Sequence, residues 1–181
     1  MTLGGVVGEL FADPRRALID RWNWKAALFS ATLRATLFLC ANLTAGWKAA
    51  TTAMLAEFIY RACSSGFYGA ITQALSKVEP AWTAAIASAV FLPGASHSIE
   101  FVVHLLLGTP NLRTSLIASV SFTVLSTLFN LYAMRRGALL VGAEGGSVGA
   151  DLRRMPWLIA GFLAAGPIAL FRLVGWRIAD G

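Results

Sequence analysis

Five long apolar stretches, separated by short polar turns, constrain this chain more than any other feature. They run from about 25 to 46, 49 to 74, 81 to 108, 114 to 134 and 156 to 174. Each is near or above the roughly 20 residues that cross a hydrocarbon core as a helix. A backbone in lipid must satisfy its own hydrogen bonds, and a single strand cannot do so. The sequence therefore predicts an all-α integral membrane protein. It would have about five transmembrane helices in a compact bundle and an N-terminal amphipathic interfacial helix.

Composition points the same way. Apolar residues make up 57% of the 181 residues and charged residues 13%. A soluble domain is nearer 45–50% apolar and about 25% charged. All six tryptophans, Trp22, Trp24, Trp47, Trp82, Trp157 and Trp176, sit at the edges of the apolar stretches. Amphipathic indoles favour that position in a bilayer.

The formal net charge of +6 does not predict nucleic-acid binding, because the basic residues are spread between apolar runs. Counting Lys and Arg by alternate turns gives nine on one side and four on the other. The positive-inside rule then places the N-terminus in the cytoplasm and, after five spans, the C-terminus outside. No cleavable leader is read, since residues 1–21 mix acids with bases. An Arg-rich, Ala-rich composition suggests a bacterial cytoplasmic membrane.

Residues 1–24 form the first segment and 25–181 the bundle. Leu3, Val6, Val7, Leu10 and Phe11 have helical spacing. Asp13-Pro14 is a helix start. The Gly-rich segment 137–152 reads as a flexible loop. Cys40 and Cys63 lie within apolar runs and read as buried free thiols. Pro93-Gly94 is expected to kink the third stretch or break it into two half-helices.

Polar residues within the apolar stretches are the candidates for function, because charge there is costly. They are Arg34, Glu57, Arg61, Tyr68, His97, Glu100, His104 and Asn130. Glu57 and Arg61 are one helical turn apart, in the favourable order for an ion pair. Ser64, Tyr68 and Thr72 continue that face. Arg34, Glu57, Arg61 and Glu100 are expected to neutralise one another.

His97, Glu100 and His104 share a face of one helix. Such a set could hold a divalent metal or relay protons, though its spacing matches no established zinc motif. Ser115, Ser119, Thr123, Ser126, Thr127 and Asn130 give the fourth stretch a polar face. That face suits close helix packing or a lined pore.

These features predict a non-enzymatic membrane subunit or carrier-like protein with a buried polar cluster. The alternative is an intramembrane metal-dependent enzyme using Glu57, His97, Glu100 and His104. Expected partners are lipids, other membrane subunits or further copies of the chain, and no nucleic acid.

Overall fold

The computed structural model describes residues 1–106 and 112–179, with the side chains of 41, 95–97, 99–106, 112–119 and 167–179 outside the description. Within these limits the chain is helical. Its elements are α1 (Leu3–Ala12), a π-turn (Arg16–Asp20), α2 (Trp24–Asn42), α3 (Trp47–Leu75), α4 (Ala81–Leu106), α5 (Leu112–Arg135) and α6 (Val148–Ala179). Short 3-10 turns at Leu43–Ala45 and Gly142–Glu144 lie in the connections.

Local chemistry sets the helix starts. The Thr2 side chain accepts from the Gly5 amide at the head of α1, and Asn23 accepts from Ala26 at the head of α2. Ser147 does the same for Ala150 in α6. Each satisfies an amide that has no partner within its own helix. Gly46, with φ of 99°, reverses the chain between α2 and α3, and only glycine adopts that conformation without steric cost.

Helices α2 and α3 form an antiparallel hairpin that closes tightly at its base. A Cβ on Gly69 would lie 2.6 Å from the Ala26 Cβ and 2.9 Å from that of Asn23. A Cβ on Gly66 would fall on the Trp22 ring. Trp22 is thus an internal packing residue rather than a boundary anchor. One apolar cluster joins Ala26 to Ala133, Met134, Ala138, Leu139 and Leu158. A second joins Val6 of α1 to Leu75, Val78, Ala84, Ala87 and Leu131. Phe162 of α6 meets Phe129 and Tyr132 of α5 edge-on.

The segment after α5 is pinned, not loose. Ala138 and Leu139 are wholly buried. Leu139 holds a left-handed φ of 59°, which costs a branched residue about 1–3 kcal/mol. Its carbonyl accepts from the Asn23 side chain at 2.9 Å. Gln73 brackets Val141, donating to its carbonyl at 3.0 Å and accepting from its amide at 3.2 Å. Lys25 donates to the Gly146 carbonyl at 2.6 Å and to Asp151 at 2.7 Å. Composition suggested a flexible loop; long-range hydrogen bonds from α2 and α3 make it a strap.

Among the described residues, no helix is long and apolar enough to cross a membrane. This overturns the predicted five-span integral membrane bundle, its location in a bacterial cytoplasmic membrane and its orientation. It also removes the basis for a membrane subunit or carrier. The physical reason lies inside the helices. The 19 residues of α2 include Lys25, Arg34 and Asn42. Helix α3 carries Lys48, Glu57 and Arg61. Without a span among the described residues, the asymmetry of Lys and Arg orients nothing.

One further expectation changes: Cys40 and Cys63 are exposed, not buried. Helix α4 is continuous through Pro93, so of the two alternatives for the third stretch, kinked or broken, it is the break into half-helices that is not seen. Large apolar side chains remain exposed on the single chain, among them Trp157 at 80%, Phe91 at 69% and Trp47 at 68%. Surfaces of that kind are normally covered by protein or lipid contacts.

The Lys25–Asp151 pair has both side chains 3% exposed. Removing one member of a buried pair strands a charge, at a cost of about 3–5 kcal/mol, whereas an apolar pair of similar volume is often neutral. Lys25→Met should therefore lower the free energy of unfolding by about 3–5 kcal/mol. Lys25→Met with Asp151→Leu should recover most of that loss. Equilibrium denaturation of the three proteins checks both statements.

Candidate functional site

The candidate site lies between α2, α3 and α5, one to three turns above the base of the hairpin. Helix α3 presents Glu57, Arg61, Ser65 and Tyr68 at successive turns of one face. Helix α2 presents Ser30 and Arg34 from the opposite side. Helix α5 supplies Thr123, Ser126, Thr127 and Asn130. Together with Leu92 of α4, all of these except Glu57 line a cavity of about 30 Å³.

Glu57 is the electrostatic centre. One of its oxygens, Oε1, accepts from Arg61 Nε at 2.8 Å and lies 3.7 Å from Arg34 Nη1. The three side chains are between 10% and 13% exposed. Arg34 also donates to the Thr123 hydroxyl at 3.3 Å, and its guanidinium lies over the Phe122 ring at 4.6 Å. Arg61 lies over Tyr60 at 5.1 Å. The expected Glu57–Arg61 pair therefore forms, and Arg34 joins it.

Hydroxyl groups surround this triad. Ser65 donates to Ser30 at 3.1 Å and ties α3 to α2. Ser126 turns back to the Thr123 carbonyl. Several polar groups on the wall have no protein partner among the described residues. They are the two amino groups of Arg61, the Tyr68 hydroxyl, the Thr127 hydroxyl and the Asn130 carboxamide. Thr127 is only 8% exposed. These atoms remain in reach of solvent, and among the described residues only the Ser88 hydroxyl is a fully buried side-chain polar atom without a partner; the wall groups are therefore free to bond to water, an ion or a ligand.

Of the sequence candidates, Arg34, Glu57, Arg61, Tyr68 and Asn130 meet at this site. Ser64 does not, since its hydroxyl turns to the Tyr60 carbonyl. Thr72 is buried and bonds to the Tyr68 carbonyl. The side chains of His97, Glu100 and His104 lie outside the described residues, as do those of Ser115 and Ser119.

The metal-dependent alternative is corrected on the part that is described. Among the described residues, no group of three or more His, Cys, Asp or Glu could hold a metal ion. Glu57, its one described ligand, is instead held by guanidinium groups.

A second polar network, at the base of the hairpin, has no local sequence signal. It contains Asn23, Lys25, Gln73 and Asp151, with bonded partners up to 126 positions apart. Asn23 and Asp151 are almost wholly enclosed. Asn23 directly before an apolar run was a legible helix cap. Nothing in spacing could have paired Lys25 with Asp151.

The shared carboxylate allows a sharp energetic comparison. Coupling falls with distance, and a hydrogen-bonded contact outweighs one without. A double-mutant cycle of Glu57→Gln with Arg61→Met should give a coupling energy in the range of about 1–3 kcal/mol. The cycle with Arg34→Met should give a smaller one. Denaturation midpoints of the two cycles decide the order. No protein-family model, curated protein or solved structure matches this chain.

Proposed function

We propose that this chain is a binding protein whose ligand site is the polar cavity between α2, α3 and α5. The observation that carries this is the convergence of unspent hydrogen-bonding groups on one small space. Arg61, Tyr68, Thr127 and Asn130 reach it from two helices. Each hydrogen bond that an occupant makes to these groups contributes about 0.5–1.5 kcal/mol net.

Binding fits the chemistry better than catalysis. A general base must be able to accept a proton from its substrate. Glu57 is instead held against Arg61 at 2.8 Å and faces Arg34 on the same oxygen. The polar wall groups are hydroxyls, a carboxamide and two guanidiniums, which orient a ligand rather than transform it.

The sign of a near-isosteric substitution tests this. If the Thr127 hydroxyl bonds to an occupant, Thr127→Val should lower stability by about 0.5–1.5 kcal/mol. If it faces an empty cavity, the valine should stabilise the protein. Equilibrium unfolding measured in the buffer of purification separates the two, and a gain in stability would refute the binding reading.

A further inference from the structure

The same cavity has features that select among polar ligands. We infer that its occupant is a small monatomic anion of halide size, an assignment that rests on the binding reading above. Three observations combine. The first is charge, since the Arg61 guanidinium borders the cavity and spends only its Nε on Glu57. A cation there would sit against a fixed positive group.

The second is the donor set. Arg61 offers N–H donors that can never accept. The Tyr68 and Thr127 hydroxyls and the Asn130 amide add three further donors on the same wall. Among the described residues, no hydrogen bond within the protein uses any of these groups. Charge-assisted donation to an anion is roughly twice as strong as donation between neutral groups. The one carboxylate of the site, Glu57, is turned to the guanidiniums and does not line the space.

The third is size. The cavity measures about 30 Å³. A single water needs roughly 10–15 Å³ by such a measure, so the space takes about two waters or one halide. Thr127, 8% exposed, contributes one of these donors from a largely buried side chain.

Bromide is the probe. Crystals of the full chain grown in gluconate and transferred to sodium bromide would be measured at the bromine absorption edge. The inference expects an anomalous peak in the cavity within hydrogen-bonding distance of Arg61 and Asn130. Density there without anomalous signal means water, which overturns the anion and leaves the binding reading standing. No density at all overturns both.

A solution arm needs no crystals. At constant ionic strength, replacing gluconate by chloride should raise the unfolding midpoint of the parent protein. The double variant Thr127→Val with Asn130→Ala should shift the half-saturating chloride concentration upward by about tenfold or more. A parent midpoint indifferent to chloride and bromide contradicts the inference.

Discussion

The fold turns on a buried ion pair. Lys25 stands at the foot of α2 and Asp151 in the first turn of α6, and they meet at 2.7 Å with almost no solvent contact. Burying either charge alone is prohibitive, so the two ends must come together or the chain cannot close. The ammonium group also donates to Gly146, and the acid sits where a helix N-terminus favours negative charge. The pair therefore fixes the end of the strap and the start of the last helix in one step.

What the pair fixes, the neighbouring amides define in detail. Asn23 spends its whole side chain, donating to Gln73 and to the Leu139 carbonyl and accepting from Ala26. Gln73 then holds both polar groups of Val141. Arg135 adds donors to the Ser76 and Val78 carbonyls and an ion pair with Glu79. Fully satisfied polar networks of this kind are strong in a low-dielectric interior. They hold Leu139 in a conformation that it would not adopt alone. They also tie the foot of α2 to α3 and the end of α5 to the segment that follows α3.

The division between what the sequence reveals and what it conceals follows from distance along the chain. Helices lie over all five apolar stretches, because helical pattern and length are local properties. The Glu57–Arg61 pair was equally local, one turn apart on α3. Arg34 reaching Glu57 and Lys25 reaching Asp151 are tertiary facts, and no periodicity encodes them. The membrane reading failed for a related reason. Mean hydropathy, +0.66 for this chain, averages over residues without weighing a single cation at mid-helix. The charges that lower α2 and α3 below the apolarity of a span are the ones that build the site. Gly137, Gly142, Gly145 and Gly146 looked like the signature of a flexible loop, yet the hydrogen bonds that pin that segment come from residues over 60 positions away.

Amide hydrogen exchange across the strap tests this account most directly. If buried pairing from α2 and α3 fixes the segment, the Val141 amide, bonded to Gln73 at 3.2 Å, and that of Ala138, bonded to the Ala133 carbonyl at 3.0 Å, should exchange as slowly as the middle of α3. Such protection reports a segment that opens only when the surrounding structure does. Exchange at the rate of an unstructured Gly-rich peptide would contradict the account.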